Sequence, residues 1–221
     1  MKKSFDRLLV WPDPVARSGP ENMAVDEVLL ETIGEEPLLR IYDWEGDWVS
    51  LGYFQKIAEA RELFAGERVE FVRRMTGGGV VDHREDVTYS LIVPRGQALA
   101  EARGEESYRM IHAAVVEALR QAGVVARMLR EDDANESVAC FEKAVAWDVV
   151  GEDGRKIAGA GQKRSRAGLL HQGSVLGAVG DGLAGCLSEG CCNWTPNAEF
   201  MDRIRKLGCG RYKPVDWLER R

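Results

Sequence analysis

The sequence predicts an α+β fold, in which strands are grouped between a few helices. Short apolar runs rich in β-branched residues come in two groups, and they do not alternate regularly with helical segments as a βαβ chain would require. Hydrophobic residues make up 45% of the 221 residues and charged residues 30%, which is ordinary for a globular chain with a sizeable core. Because no linker, repeat or long charge run divides the chain, we expect a single domain over residues 1–221.

The first half of the chain predicts one helix followed by three strands. Residues 20–33 predict the helix, because their apolar positions recur on one helical face. These positions are Val25, Val28, Leu29 and Ile33. Residues 38–41, 69–72 and 87–93 predict strands, because of their β-branched content and short apolar length.

The second half opens with the most regular helical pattern of the chain, at residues 105–122. Its buried stripe is predicted to be Tyr108, Ile111, Val115, Leu119 and Ala122, with Gly123 as a helix stop. Residues 124–129, 146–150 and those from 157 onward predict a second group of strands, with a hairpin turn at 152–154. A short helix is expected at 199–207.

A concentration of cations and glycines follows the predicted strand at 69–72. It reads Arg73-Arg74-Met75-Thr76-Gly77-Gly78-Gly79-Val80-Val81-Asp82-His83. Consecutive glycines lose much backbone entropy on folding, so a folded protein keeps them where the backbone approaches something closely or adopts a positive φ. Bare N–H groups beside two arginines suit an anionic or carbonyl-bearing ligand. A plain glycine-rich turn is the alternative.

A second stretch of this kind begins at the predicted hairpin turn. It reads Gly154-Arg155-Lys156-Ile157-Ala158-Gly159-Ala160-Gly161-Gln162-Lys163-Arg164, and then Gly168-Leu169-Leu170-His171-Gln172-Gly173-Ser174-Val175-Leu176. A lysine with space beside it can stabilise developing negative charge as a fixed cation. A surface lysine beside a turn is the alternative interpretation.

Together the two stretches resemble the catalytic domain shared by lipoate–protein ligases, octanoyltransferases and biotin–protein ligases. The first is similar to the family's Arg-Arg-x-(Thr/Ser)-Gly-Gly-Gly-x-Val-x-His signature. The second is similar to the lipoyl branch's Lys-Ile-x-Gly-x-x-Gln-x-Arg motif and the His-x-Gly-Ser turn after it. Segments 22–27, 50–55 and 88–90 also resemble family elements, and the resemblance runs over residues 20–180 in the family's order.

The resemblance implies a mostly antiparallel or mixed sheet flanked by helices, which is the biotin/lipoate protein ligase-like catalytic fold. It also implies that Lys156 is the catalytic lysine. Substrate binding is expected from Arg73, Arg74, Thr76, Gly77, Gly78, Gly79, His83, Tyr89, Ser90, Gly159, Gln162, His171 and Gly173. No metal ligands are predicted, because no third ligand accompanies the two motif histidines. The third histidine, His112, is interpreted as structural.

Cys140 bears on which reaction the chain carries out. It stands in Ser137-Val138-Ala139-Cys140-Phe141-Glu142, and Cys-Phe-Glu resembles the nucleophile of one octanoyltransferase group within the family. A thiolate attacks thioesters well, and a nearby lysine can lower its pKa or steady the oxyanion. The predicted catalytic pair is therefore Lys156 and Cys140, with a buried structural cysteine as the alternative interpretation of Cys140.

We expect an enzyme that attaches octanoyl or lipoyl groups to a lysine of a lipoyl carrier domain. As a transferase it would take the acyl group from octanoyl–acyl carrier protein and require no cofactor. As a lipoate–protein ligase it would use ATP and magnesium to form lipoyl-adenylate, and a non-catalytic binding protein of the same fold is a third alternative. The expected acceptors are glycine cleavage H protein or the E2 subunits of 2-oxoacid dehydrogenases. No C-terminal accessory domain is expected.

Charge and cysteine content exclude other classes. A net charge of −6 argues against a general nucleic-acid binder. No apolar stretch approaches the ~18 residues of a membrane span, and no secretory signal is evident, so a cytoplasmic location is expected. Four cysteines lack the paired Cys-x-x-Cys spacing typical of zinc sites and are expected to be free thiols: Cys186, Cys191, Cys192 and Cys209.

Overall fold

The computed structural model describes residues 3–130, 145–177, 179 and 182–220. Its strands are β1 (Phe5–Pro12), β2 (Leu38–Tyr42), β3 (Trp48–Leu51), β4 (Glu70–Arg73), β5 (Val80–Asp82), β6 (Asp86–Pro94), β7 (Arg127–Met128), β8 (Val149–Val150), β9 (Lys156–Arg164), β10 (Gly168–Leu176) and β11 (Ser188–Asn193). Its helices are α1 (Gly19–Thr32), α2 (Ile57–Leu63), α3 (Ala98–Glu101), α4 (Gly104–Gln121), α5 (Gly182–Leu187), α6 (Ala198–Leu207) and α7 (Val215–Leu218). A π-helical turn, Gly208–Tyr212, follows α6.

Eight strands form a mixed sheet in the order β11-β1-β2-β6-β10-β9-β8-β7. β1 runs parallel to both of its neighbours, and every other adjacent pair is antiparallel. A second sheet of three strands, β4-β3-β5, carries the residues on either side of the triple glycine. The predicted α+β class, with a mixed sheet flanked by helices, is confirmed.

The centre of the large sheet is a pair of long antiparallel ladders that carry the second motif. β10 pairs with β6 over its whole length, and its other edge pairs with β9. The predicted hairpin turn precedes β9, where the Gly151 N–H donates to the Arg155 carbonyl at 2.9 Å and Gly154 has φ +77°. This turn places Lys156 at the first position of β9, opposite Val150 of β8.

Alternate residues of the central strands face two separate cores, because successive side chains of a strand point to opposite faces. Leu91 and Val93 of β6 pack in the core that contains α4 and α5, while Ile92 packs in the core that contains α1 and α6. The predicted stripe of α4 is buried at Ile111, Val115 and Leu119, and half-buried at Tyr108. Ala122 is exposed, because α4 ends one residue before it and Gly123 turns the chain away at φ +82°.

Helix α1 is buried on more than one side, which the single apolar stripe did not predict. Polar residues of its interior, Asn22, Asp26 and Glu27, are at most 5% exposed. The helix lies between the large sheet, α6 and the π-helical turn, so even its polar positions are removed from water. They must therefore find protein partners.

Two predicted strands are much shorter than expected. The segments at 124–129 and 146–150 contribute only the two-residue strands β7 and β8. β7 lies at the sheet edge with a single neighbour, and the pairing of β8 with β9 is irregular between Val149 and Val150. The helix expected at 199–207 is confirmed as α6, and its N-terminus is capped by the Asn197 side chain.

In the part of the chain that the structure describes, no helix combines the length and the apolar character needed to cross a membrane.

Candidate active site

The ammonium of Lys156 is held by a buried carboxylate. Its Nζ lies 3.1 Å from Oδ2 of Asp148, whose side chain is fully buried, whereas the Lys156 side chain is 22% exposed. The same carboxylate accepts hydrogen bonds from the Tyr108 hydroxyl at 2.5 Å and from the Val145 N–H at 2.9 Å. Because a buried carboxylate needs such partners, these contacts hold the Asp148 side chain in one orientation. The pair presents a fixed cation to solvent.

The glycine at position 159 makes room for this ion pair. A Cβ built at Gly159 would lie 2.4 Å from Cε and 2.6 Å from Nζ of Lys156. Any side chain there would displace the ammonium. The Lys-Ile-x-Gly spacing of the motif therefore has a steric reason: the lysine folds back over its own strand.

Lys156 and Gly159 line a cavity of about 600 Å³. Its wall also contains five further predicted site residues, which are Arg74, Gly78, Gly79, His83 and Gly173. Side chains without a predicted role complete it, among them Met23, Tyr42, Trp44, Val81 and Leu176. The cavity thus joins a cationic and amide-rich region to an apolar region. A second groove of about 730 Å³, along α4 and β7, contains none of the predicted site residues.

Arg74 organises the triple glycine from within. Its guanidinium donates to the carbonyls of Gly77 and Gly79 at 3.2 and 3.0 Å, and to the Ser50 hydroxyl at 2.5 Å. Gly78 between them has φ +97°, a conformation that favours glycine. With these carbonyls turned toward Arg74, the loop has a defined path.

Two glycines, Gly52 immediately after β3 and Gly161 of β9, pack closely against the loop. A Cβ at Gly52 would lie 1.9 Å from the Gly78 carbonyl oxygen, and one at Gly161 would lie 2.3 Å from that of Gly77. Nothing lies within 4 Å of a Cβ built at Gly77 or Gly79. The loop is packed on one side and open on the other, as a backbone surface for a ligand requires.

Arg73 does not line the cavity. Its fully buried side chain donates to the carbonyls of Gly52, Tyr53 and Gln55 and to those of Trp217 and Leu218. The two arginines of the motif therefore point to different places, because they are neighbours on a strand. Arg73 ties α7 to the turn after β3, and Arg74 supports the glycine loop.

Thr76 and Ser90 belong to a buried network behind the cavity wall. The Thr76 hydroxyl donates to Gln172 Oε1 at 2.7 Å, and the Gln172 amide donates to Asp26 Oδ2 at 2.6 Å. The Ser90 hydroxyl donates to the same oxygen at 2.6 Å, and Arg40 donates to the other carboxylate oxygen. These residues hold the base of the loop and do not contact the cavity directly, except Gln172, which reaches its wall.

His83 lies in the cavity wall within a serine–histidine–aspartate arrangement. Nδ1 donates to Asp86 Oδ2 at 2.7 Å, because a carboxylate only accepts, and Nε2 lies within hydrogen-bond distance of the Ser50 hydroxyl, at 2.5 Å. Trp44 stacks on the imidazole with ring centroids 4.1 Å apart. Ser50 is fully buried and accepts from Arg74, so it is not placed as a nucleophile. The arrangement orients the imidazole.

A chain of hydrogen bonds connects the three central strands through Gln162 of β9, His171 of β10 and Tyr89 of β6. The Gln162 amide donates to His171 Nδ1 at 3.0 Å, so Nε2–H donates to the Tyr89 oxygen at 3.1 Å. Burial lowers the pKa of His171 well below its usual range and raises the pKa of Tyr89. Both groups are neutral. Gly173 is required beside them, since a Cβ there would lie 2.2 Å from the Tyr89 ring.

Residues 18–180 match the family model of the lipoyl protein ligase A/B catalytic domain. The chain belongs to this family. Among curated proteins, it is 38% identical over 167 residues to octanoyltransferase LipM of Kyrpidia tusciae, covering 70% of this chain and 61% of that protein. It is 37% identical over 198 residues to octanoyltransferase LipM of Geobacillus kaustophilus, covering 84% and 69%. The chain thus spans about two thirds of the length of these relatives.

Solved structures of the lipoyl ligase family share the fold. Protein Ta0514 from T. acidophilum superposes with a TM-score of 0.75 at 23% identity, covering 96% of this chain and 98% of that one. A bi-partite lipoate protein ligase studied with its E2 lipoyl domain, from Thermoplasma acidophilum, superposes with a TM-score of 0.71 at 19% identity, covering 98% and 96%. The family assignment and the predicted fold are confirmed.

Cys140 lies outside the described residues, so its predicted role as nucleophile stays a prediction. The other four cysteines are free, and Cys191 and Cys209 are exposed. Within residues 3–130, 145–177, 179 and 182–220, no three His, Cys, Asp or Glu side chains are grouped to hold a metal ion. Carboxylates at the cavity already have cationic partners, since Asp148 binds Lys156 and Asp82 binds Arg84.

Sequence reasoning missed Asp148, the partner of the family's lysine. It stands in the predicted strand at 146–150, where it is the lone charged residue of an otherwise apolar run. A charged residue is rarely buried without a partner, and this was the available signal. Trp44 and Asp86, which hold the ring of His83, belong to no glycine motif and had no comparable signal.

Proposed function

We propose that this chain transfers octanoyl groups to a lysine of a lipoyl carrier domain, through an acyl-enzyme on Cys140. The observation that carries the proposal is the arrangement of Lys156 and the glycine loop around one cavity. It combines a fixed ammonium, an uncovered stretch of glycine backbone and an apolar wall. A thioester substrate needs these three features, for its developing oxyanion and for its alkyl chain.

The two half-reactions conserve the acyl group. The Cys140 thiolate attacks the carbonyl carbon of the octanoyl thioester, and the tetrahedral intermediate expels the donor thiolate, which takes up a proton. The ε-amine of the acceptor lysine then attacks the Cys140 thioester. An amide forms, the Cys140 thiolate leaves, and the amine nitrogen loses its surplus proton. In both steps Lys156 and backbone amides of the loop stabilise the oxyanion.

The apolar part of the cavity would hold the acyl chain. Burial of an octanoyl chain contributes about 5 kcal/mol, at about 0.8 kcal/mol per carbon. We assign the remaining cavity residues, including Arg74, Gly78, Gly79, His83 and Gly173, to substrate binding. Other predicted residues support the binding site without lining the cavity. Those behind the cavity wall are Thr76, Tyr89, Ser90, Gln162 and His171, and those that fix the path of the glycine loop are Arg73 and Gly77.

The transferase is favoured over the ligase by the sequence relatives, which are octanoyltransferases at 37–38% identity. Transfer from a thioester requires neither ATP nor magnesium. The acceptor class is a lipoyl carrier domain, such as glycine cleavage H protein or an E2 subunit, and the proposed donor is octanoyl–acyl carrier protein. We place the reaction in the cytoplasm.

One assay separates the two reactions. Purified protein is incubated with an apo-lipoyl domain and either octanoyl–acyl carrier protein or octanoate with ATP and magnesium, and the acceptor mass is measured. Modification from the thioester donor without ATP is expected. Modification only in the ATP reaction would make the chain a ligase, and none in either would support the non-catalytic alternative.

The acyl-enzyme is tested without acceptor. Incubation with octanoyl–acyl carrier protein should add one octanoyl mass, which hydroxylamine removes and Cys140→Ala abolishes. Cys191→Ala is the matched control, since Cys191 is an exposed thiol on β11. An adduct that persists in Cys140→Ala but is lost in Cys191→Ala would transfer the nucleophile to another thiol.

A further inference from the structure

The segment that delivers Asp148 to Lys156 is conformationally strained. Among the described residues, Trp147 is the one non-glycine residue with a positive φ, at +72°. A bulky residue in this region costs free energy and persists only when surrounding contacts enforce it. Trp147 directly precedes Asp148. The strained turn therefore sets the direction in which the Asp148 carboxylate enters the interior.

His112 of α4 makes one of the contacts that enforce this turn. Its Nδ1 donates to the Trp147 carbonyl at 2.6 Å, and the Trp147 N–H donates to the Leu129 carbonyl at 2.9 Å. His112 is fully buried, and burial lowers its pKa to about 4. The imidazole is therefore neutral with its single proton on Nδ1, because a carbonyl can only accept.

The other nitrogen of His112 has no such role. Among the described residues, its Nε2 is buried without a hydrogen-bond partner. A buried polar atom without a partner destabilises the fold and calls for an explanation. A leucine would fill the same core position without that cost. The bond to Trp147 is what the histidine adds.

Tyr108 stands one helical turn before His112 and acts on the next residue of the same segment. Its hydroxyl donates to Asp148 Oδ1 at 2.5 Å, and its oxygen accepts from the Ala160 N–H of β9 at 3.0 Å. Residues four apart share one face of a helix. The α4 face therefore contacts both Trp147 and Asp148, and it also contacts the strand that carries Lys156.

We propose that Tyr108 and His112 are positioning residues for Lys156, acting through the Trp147–Asp148 turn. The proposal rests on the proposed function only in assigning Lys156 to the chemistry. Tyr108 fixes the carboxylate of Asp148, and His112 fixes the backbone that carries it. The carboxylate in turn fixes the ammonium that faces the cavity.

The experiment compares variants that delete single hydrogen bonds. Tyr108→Phe removes the hydroxyl and keeps the ring. His112→Leu removes the donor, whereas His112→Asn keeps an N–H donor near the place of Nδ1. Tyr212→Phe is the matched control, because the Tyr212 hydroxyl also donates to a buried carboxylate, Glu27, at 2.6 Å, but neither residue lines the cavity.

Octanoyl transfer is measured as kcat and KM for donor and acceptor. Tyr108→Phe and His112→Leu should lower kcat by about tenfold to a hundredfold with little change in KM, as when a supporting contact of a reacting group is lost. His112→Asn should recover most of the loss, and Tyr212→Phe should retain wild-type kcat. Equal kcat in Tyr108→Phe and Tyr212→Phe, or no recovery in a folded His112→Asn, would overturn the proposal.

A second readout needs no turnover. Lys156 is labelled with an amine-acylating reagent, and its rate is compared by mass spectrometry with that of the exposed Lys56. Release of the ammonium from Asp148 should raise the relative labelling of Lys156 in Tyr108→Phe and His112→Leu, but not in Tyr212→Phe. Absence of octanoyl transfer by the wild type would refute the proposed function alone. Unchanged labelling would refute the positioning roles alone.

Discussion

In two regions of this protein a cationic side chain is held by buried carboxylates, and the two regions differ in the solvent exposure of that cationic side chain. Arg40 donates to Asp13, Asp26 and Asn22, and the side chains of Arg40 and both aspartates are fully buried. Lys156 is held by Asp148, whose carboxylate is equally buried, but the lysine side chain remains partly exposed at the cavity. The first region is closed, and the second is open on its cationic side.

The difference separates an ion pair that is shut off from solvent from one that lies at a cavity. A closed network satisfies its charges within the protein, so it can orient α1 against the sheet but has no donor for a ligand. In the second region the carboxylate supports the lysine from the interior, and the lysine side chain lines the cavity. Removing a partner should therefore cost mainly stability in the first region and mainly activity in the second.

The largest effect is expected in the closed region. Asp26→Ala should lower the free energy of unfolding by about 3–5 kcal/mol, because it leaves a buried arginine with one fewer countercharge. Asp148→Ala should cost less stability, since solvent in the cavity reaches Lys156. Denaturant unfolding of both variants measures the difference. A larger loss in Asp148→Ala than in Asp26→Ala would contradict the distinction.

In the open region, Lys156→Ala should lower kcat for octanoyl transfer by about a hundredfold to a thousandfold, the range for loss of one oxyanion donor. Its melting temperature should stay close to that of the wild type, because the lysine adds little packing. Lys206→Ala, at an exposed lysine on α6, serves as the control for removal of a positive charge. Near-normal turnover by folded Lys156→Ala would remove the residue from the mechanism.

The comparison extends to His112, a neutral buried group behind the open site. Its pKa is about 4 in the folded protein and 6.5 when unperturbed. Between these values the unfolded chain binds a proton that the folded chain does not, so the free energy of unfolding falls as pH falls. Below pH 4 the loss amounts to about 3 kcal/mol, and none is expected above pH 6.5.

His112→Asn should remove this contribution, and its stability should therefore decline less than that of the wild type between pH 7 and about 4. Taking the difference between the two proteins cancels the carboxylates that titrate in both. Denaturation at several pH values measures it. Parallel curves would show that His112 is not the group that titrates.

The smallest expected effects on stability come from alanine substitutions on the packed and the open sides of the glycine loop. Gly79→Ala should change the free energy of unfolding by less than about 0.5 kcal/mol, because its Cβ meets no atom, yet it should raise the KM for the acyl donor. Gly161→Ala, in contrast, should destabilise the protein by about 1–3 kcal/mol, because its Cβ would overlap the Gly77 carbonyl. Equal stability of the two variants would contradict the assignment of sides.

The sequence by itself determined the helices and strands that are marked by residue periodicity and turn residues. The helix pattern of α4 was recovered to within one residue, and so was the strand before the glycine loop, because periodicity and turn residues report on neighbours in the chain. The family motifs correctly indicated the α+β class and brought Lys156 and the glycine loop to one cavity. The lengths of β7 and β8 were overestimated, since pairing at a sheet edge depends on a partner that local composition does not reveal.

Tertiary structure alone decided which members of a motif line the cavity. Arg73 and Arg74 are adjacent and chemically identical. Arg73 donates hydrogen bonds to five backbone carbonyls away from the cavity, whereas Arg74 donates to the carbonyls of the glycine loop. The partnership of Asp148 with Lys156 and the support of both by α4 depend on contacts between segments distant in sequence. Such contacts follow from how the elements pack, and no periodicity or spacing within one element carries that information.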